Sequence, residues 1–126
     1  MTPPPTEPRT DTPPVRRFKD PHYQPVAETL SELRERIDAL DAQIVELLAQ
    51  RAACVRDATR FKRDAFQVQA PERQAQVFAR VRQLAAVHEG LFPGLPDIVE
   101  ASYRSLVAGF VAAEGQLFHH TESIEP

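Results

Sequence analysis

The chain has 126 residues, a formal net charge of −3 and a single cysteine, Cys54. This length accommodates one domain at most, and the negative balance gives no general attraction to nucleic acid or to an anionic membrane. One cysteine excludes an internal disulfide framework and a cysteine-rich zinc site. No apolar run approaches the roughly 20 residues of a membrane span, and no apolar signal segment precedes the domain, so we expect a cytoplasmic protein.

Residues 1–28 are predicted to form a disordered tail, because residues 1–25 hold 8 of the 12 prolines and almost no large apolar residues. A segment of this composition buries too little surface to fold. The basic patch at residues 15–19 offers a contact to a partner, but a solvated tail is the favoured interpretation. A helical domain is predicted at residues 29–120, and residues 121–126 are predicted to be a C-terminal tail.

The first predicted helix runs from Leu30 to about Lys62, with Thr29 or Ser31 as its N-cap. Apolar residues recur along it mostly at steps of three and four, which is typical of an amphipathic helix. They form one stripe: Leu33, Ile37, Leu40, Ile44, Leu47, Cys54, Ala58 and Phe61. Such a helix is about 50 Å long, too long for a compact monomer of this size. We therefore expect a second chain to cover the stripe, and Cys54 to be a small core residue.

Three cationic side chains on this helix favour an anion site that involves two chains. Arg51 occupies the gap in the stripe, and Lys62, 11 residues later, faces nearly the same direction. Buried charges are usually paired or serve a ligand, although an arginine at a helix edge and a lysine at a helix end also have structural explanations. Arg34 lies 17 residues before Arg51, about 25 Å along a helix, so no small ligand contacts both on one chain. If both serve one site, a second, antiparallel copy of the helix must provide Arg34.

Residues 64–69 break the helical pattern and predict a loop. A second helix then begins at Ala70-Pro71-Glu72-Arg73, with proline in the first turn, where its missing N–H costs nothing. Arg73 and the free N–H groups of this turn lie beside the loop, and that combination favours an anion or hydroxyl ligand.

A turn at residues 90–96 precedes a third predicted helix, from about Pro96 to Phe118. Glu114 falls at the edge of its apolar stripe, where it is either a surface residue or an acid that serves the cationic pocket. No strand pattern occurs, so the predicted fold is all-α. The sequence has no phosphate-binding loop, no nucleophile elbow and no histidine pair at metal-ligand spacing. We therefore expect no metal, no cofactor and no covalent nucleophile.

The first helix resembles that of the all-helical, AroQ-class chorismate mutases. Residues 33–41 fit the pattern LR-x-x-I-x-x-LD of that family. Arg51 and Lys62 fit its arginine 17 residues after the first arginine and its lysine 11 residues beyond. Ala70-Pro71-Glu72-Arg73 is similar to a branch that also contains the isochorismate-pyruvate lyases. The resemblance covers roughly residues 30–119.

This resemblance implies an intertwined, domain-swapped homodimer of three-helix chains. It also implies that chorismate rearranges to prephenate through a pericyclic transition state, without a cofactor. Arg51 and the partner subunit's Arg34 would bind substrate carboxylates, which the planar guanidinium pairs bidentately. Lys62 would donate to the ether oxygen as negative charge develops there, and Arg73 would add positive potential. Gln74 stands where many mutases have an acidic residue that binds the ring hydroxyl, and its amide can accept the same hydrogen bond.

Glu114 is the main departure from the relatives, many of which have glutamine at this position, although some mutases have glutamate. A carboxyl group must carry a proton to donate to an ether oxygen. Burial favours the protonated form, whereas cationic neighbours favour the ionised form, and the sequence leaves both open. Phe110 replaces a small hydroxyl residue found in some mutases, so we expect one contact to the ring carboxylate to be missing.

The favoured function is that of a chorismate mutase in aromatic amino acid biosynthesis. The first alternative is isochorismate-pyruvate lyase, which uses the same scaffold for a related elimination; Glu114 mildly favours the mutase. Further alternatives are an aminodeoxychorismate mutase and a non-catalytic dimeric helical domain. The presence of the pocket cations argues against the non-catalytic domain. No regulatory domain is visible, so we expect no feedback inhibition by an aromatic amino acid.

Overall fold

The computed structural model describes residues 1–126 and contains helices but no strand. Its elements are, in chain order, α1 (Leu30–Ala58), a 3₁₀ turn (Thr59–Phe61), α2 (Ala65–Gln69), α3 (Pro71–Ala86) and α4 (Leu95–Phe118). The prediction of an all-α chain with three main helices, the first of them the longest, is confirmed. None of these helices combines the length and the apolar character needed to cross a membrane.

The chain divides into two compact units, Met1–Ala49 and Gln50–Pro126. In the first unit no helix precedes Leu30, and α1 begins at a capped end. The Thr29 hydroxyl oxygen accepts a hydrogen bond from the N–H of Glu32 at 3.2 Å. Thr29 is therefore the N-cap, one of the two predicted candidates. The disorder of the tail stays a prediction.

The apolar stripe of α1 is largely exposed in the single chain, and no residue of this helix is buried. The exposed fraction is 54% at Ile37, 55% at Leu40, 52% at Ile44 and 62% at Leu47. Contiguous apolar exposure of this kind marks an interaction surface. Cys54, predicted to be a core residue, is also exposed. That prediction is wrong for the single chain, because its buried residues come from the 3₁₀ turn, α2, α3 and α4.

The second unit has a small core between α3 and α4, with α2 and the 3₁₀ turn also packed against α4. Four apolar side chains are buried there: Val68, Val81, Ala85 and Val107. Two polar residues, Thr59 and Glu114, are buried as well. Burying polar groups costs free energy unless they are hydrogen-bonded. The burial of Thr59 and Glu114 therefore marks this part of the core as a candidate functional site.

An ionic cluster lies on the surface of the α3–α4 contact. The Arg82 guanidinium is 2.7 Å from the carboxylate of Asp97 and 3.5 Å from that of Glu100. The hydrogen bond to Asp97 raises the pKa of Arg82 above its ordinary value. Arg104 pairs with the same Glu100 at 3.0 Å. Exposed pairs of this kind contribute little to stability individually, and the cluster mainly links the two helices.

Two local features differ from the sequence prediction. Helix α1 ends at Ala58, earlier than predicted, and the chain tightens into the 3₁₀ turn. The Thr59 hydroxyl lies 3.2 Å from the carbonyl oxygen of Val55, a contact that often bends or ends helices. The predicted loop at residues 64–69 is wrong, because it contains α2, whose N-cap Asp64 accepts a hydrogen bond from Gln67 at 3.0 Å. A single turn is too short to produce a recognisable period.

Candidate active site

Glu114 is the buried acid around which the candidate site is built. It projects from α4 and is only 5% exposed, so it is not a surface residue. Its Oε1 atom lies 3.2 Å from the hydroxyl of Thr59 and 3.6 Å from the ammonium nitrogen of Lys62. The other oxygen, Oε2, makes no hydrogen bond within the chain, and no buried polar side-chain atom lacks a partner. Oε2 therefore retains contact with solvent.

Lys62 is held in place from two sides. Its ammonium group donates to the carbonyl oxygen of Gln67 in α2 at 3.1 Å and faces Glu114 on the other side. The backbone of Lys62 is extended, with φ −99° and ψ 130°, because the 3₁₀ turn ends just before it. A lysine ammonium has three donors, and these two contacts leave at least one of them for a ligand.

Arg51 is half-buried and stacks on two aromatic side chains of α4. Its guanidinium carbon lies 5.8 Å from the ring centre of Tyr103 and 5.6 Å from that of Phe110. Cation–π contacts of this geometry are attractive. Arg51 takes part in none of the ion pairs of the chain. Its hydrogen-bond donors thus have no carboxylate partner within the chain. Phe110 thus supports the arginine through its ring.

The residues at the start of α3 lie beside α2. The Gln74 side-chain amide donates to the carbonyl of Gln69, and its own oxygen remains available as an acceptor. Arg73 is exposed, and its nearest polar contact is the side chain of Gln76 at 3.5 Å. The structure gives no contact between Arg73 and either Lys62 or Glu114. Arg73 therefore contributes at most a diffuse positive potential within the single chain.

Arg34 belongs to the first unit, where it is exposed on α1 and forms no ion pair. An arginine without a carboxylate partner is free to bind one from another molecule. Its part in a site formed by two chains stays a prediction.

Thr59 is the site residue that the sequence did not reveal. It is only 3% exposed, and its hydroxyl contacts Glu114, which is 55 residues away along the chain. No motif contains this pair. The available signal was the position of Thr59 three residues before Lys62, within the stretch predicted to be one helix.

Two open depressions occur in the second unit, of about 410 and 340 Å³. Their walls include Ala53 and Asp57 in both cases, but neither Arg51, Lys62 nor Glu114. Neither depression therefore lies at the candidate site residues. No group of three or more His, Cys, Asp or Glu side chains is arranged to hold a metal ion.

The fold and these side chains define an all-helical protein with a cationic candidate site next to a buried acid. The sequence matches the family model of chorismate mutase type II over residues 33–115, and the chain belongs to this family.

Two curated relatives are similar to the chain over shorter stretches. A chorismate mutase of Methanocaldococcus jannaschii is 32% identical over 62 residues, which is 48% of this chain and 63% of the relative. A bifunctional chorismate mutase/prephenate dehydratase of Aquifex aeolicus is 29% identical over 92 residues, which is 71% of this chain and 25% of the relative. The chain thus spans less than two thirds of the length of either relative.

Proposed function

We propose that this protein is a chorismate mutase, which rearranges chorismate to prephenate. The observation that carries the proposal is the Lys62–Glu114 pair, with 3.6 Å between the ammonium nitrogen and Oε1. A cation and a carboxyl group side by side provide two hydrogen-bond donors for one oxygen atom when the carboxyl is protonated. Membership of the chorismate mutase type II family supports the same reaction. The name of the Aquifex relative includes prephenate dehydratase, which fits a product that is consumed in aromatic amino acid biosynthesis.

The substrate is a dicarboxylate, and Arg51 is suited to bind one of its carboxylates. The rings of Tyr103 and Phe110 contact the guanidinium group and restrict its movement, so less rotational freedom is lost when a ligand binds. A guanidinium pairs with a carboxylate through two parallel N–H donors. Arg51 therefore orients the substrate carboxylate and also neutralises its charge.

The reaction is intramolecular and needs no nucleophile. The ether C–O bond of chorismate breaks while a C–C bond forms between the end of the enolpyruvyl group and the carbocyclic ring. The electrons move in a cycle through six reacting atoms. Negative charge accumulates on the ether oxygen as its bond breaks. Lys62 donates to that oxygen, and Glu114 provides a second donor when Oε2 carries a proton. Donors held in position before the charge develops stabilise the transition state without reorganising.

We further propose that the active form is a homodimer in which the partner subunit's Arg34 completes each site. The exposed stripe of α1, more than half exposed at Ile37 and Leu47, is the surface that a second α1 would cover. Its burial contributes roughly 25 cal/mol for each Å² of apolar surface. Arg34 and Arg51 are 17 residues apart, so antiparallel pairing of two α1 helices brings one from each chain to a shared ligand.

Gln74 and Arg73 have secondary roles in this proposal. The Gln74 amide is oriented by its bond to the Gln69 carbonyl, and its free oxygen accepts a hydrogen bond from the ring hydroxyl of the substrate. Arg73 raises the local positive potential at the start of α3, which increases the rate at which a dianion approaches.

Chorismate and isochorismate, assayed side by side with purified protein, test this proposal. We expect prephenate from chorismate, and no more than weak release of pyruvate from isochorismate. Efficient pyruvate release from isochorismate, with chorismate left unchanged, would instead assign the lyase reaction. Turnover of neither substrate by a correctly folded dimer would reject an enzymatic role on this class of substrate.

A further inference from the structure

Thr59 is buried against the acid of the candidate site but belongs to none of the sequence motifs of the chain. Its hydroxyl oxygen lies 3.2 Å from the carbonyl oxygen of Val55 and 3.2 Å from Oε1 of Glu114. A hydroxyl has one proton to donate and two lone pairs, so it donates to only one of these oxygens at a time. The carbonyl of Val55 belongs to α1, where backbone or solvent donors can serve it. Thr59 is the hydrogen-bond donor to Oε1 of Glu114 within the chain, since the Lys62 ammonium lies further away, at 3.6 Å.

We infer that Thr59 is the positioning residue that anchors Oε1 of Glu114 and thereby leaves Oε2 as the oxygen that faces the substrate. This inference rests on the proposed mutase function. Thr59 comes from the 3₁₀ turn and Glu114 from α4. Their hydrogen bond therefore holds these two elements in the relative position that the reaction requires. It also fixes the final torsion of the glutamate side chain, which otherwise rotates broadly.

The same contact directs the position of the carboxyl proton. Lys62, at 3.6 Å, is the charged group nearest to Oε1, and no other ion pair involves Glu114. A positive charge and a hydroxyl donor directed at one oxygen both disfavour a proton on that oxygen. Of the two carboxyl oxygens, Oε2 is therefore the one left to face a ligand. Oε2 retains contact with solvent and is thus open to the ligand.

Two substitutions separate this role from packing. Thr59→Val keeps the branched shape and removes the hydroxyl, whereas Thr59→Ser keeps the hydroxyl and removes the methyl group. We expect Thr59→Val to lower kcat on chorismate about tenfold, with KM changed less than about twofold, the size of one hydrogen bond acting in the transition state. Thr59→Ser should stay within about twofold of the unmodified protein, since it retains the donor.

A double-mutant cycle distinguishes a positioning role of Thr59 from a packing role. In a Glu114→Ala background Thr59→Val should lower kcat no further, because the group that it positions is gone. Equal kcat in Thr59→Val and the unmodified protein would overturn the inference. An undiminished tenfold loss in the Glu114→Ala background would also overturn it, because Thr59 would then act through packing. If the valine variant does not fold, Thr59→Ala compared with Thr59→Ser provides the same contrast.

If the proposed mutase function is wrong, the unmodified protein will not turn over chorismate. In that case the hydrogen bond is tested by urea unfolding of Thr59→Val, Glu114→Gln and the double variant. Coupled effects on the free energy of unfolding support the contact, and additive effects contradict it.

Discussion

Replacing Lys62 by methionine removes the ammonium charge while keeping a side chain of similar length. The ammonium lies 3.6 Å from Oε1 of Glu114 and 3.1 Å from the Gln67 carbonyl oxygen, and a ligand oxygen can approach its remaining donor to about 3 Å. A developing charge of about one half on the ether oxygen, about 3 Å from the ammonium, interacts with it by about 2.8 kcal/mol at an effective dielectric constant of about 20. That energy corresponds to about a hundredfold in rate, at the lower end of the range for oxyanion donors.

The assay is the steady-state loss of chorismate, with kcat and KM measured separately. We expect kcat to fall about a hundredfold and KM to change much less, because the charge on the ether oxygen exists mainly in the transition state. Arg63→Met is the matched control, since it removes a cation from the next residue. Arg63 is exposed and pairs with Glu125 at 2.8 Å, so its loss should leave kcat within about twofold. If Lys62→Met retains its helical circular dichroism and turns over chorismate within threefold of the unmodified protein, the assigned role of Lys62 is wrong.

Two further predictions concern Glu114 and the junction before α3. Glu114→Gln should turn over chorismate at neutral pH at an equal or higher rate, because an amide always has a proton to donate. A large loss of kcat in Glu114→Gln, with its helical circular dichroism retained, would remove Glu114 from the mechanism. Ala70 has a left-handed backbone, with φ 43°, so Ala70→Gly should raise the free energy of unfolding by about 0.5 kcal/mol. In urea denaturation the control Ala101→Gly, within α4, should lower it by about 0.5–1 kcal/mol, and a loss of stability in both variants would show that Ala70 is not strained.

Most of the fold was predictable because helical periodicity is a local property. The stripe that includes Ile37 and Leu47 gave the long first helix, and Pro71 gave the start of α3. Short elements gave no such signal, since α2 is a single turn defined by the Asp64 cap. Periodicity also did not predict the exposure of Cys54, because it identifies the apolar face of a helix but not what covers that face.

The candidate site was only partly predictable, for a related reason. The spacing of Arg51 and Lys62 gives their direction on one helix, and Glu114 was identified as a candidate acid by its position on the third helix. The carboxyl contact with Thr59 spans 55 residues and depends on how the 3₁₀ turn packs against α4. The stacking of Arg51 on Tyr103 is tertiary as well. Neither contact has a sequence pattern that would reveal it.

The shared active site is tested most directly by complementation between two inactive variants, because this experiment examines the reaction and the shared site together. Arg34→Ala and Arg51→Ala chains are purified separately, unfolded, mixed in equal amounts and refolded, and prephenate formation is compared with that of each variant alone. In a mixed dimer with antiparallel α1 helices, one site carries both substitutions and the other carries neither. Since half of the dimers are mixed and each has one intact site, we expect about a quarter of the unmodified activity. Activity no higher than that of the separate variants, in a sample that demonstrably contains mixed dimers, would contradict a composite active site.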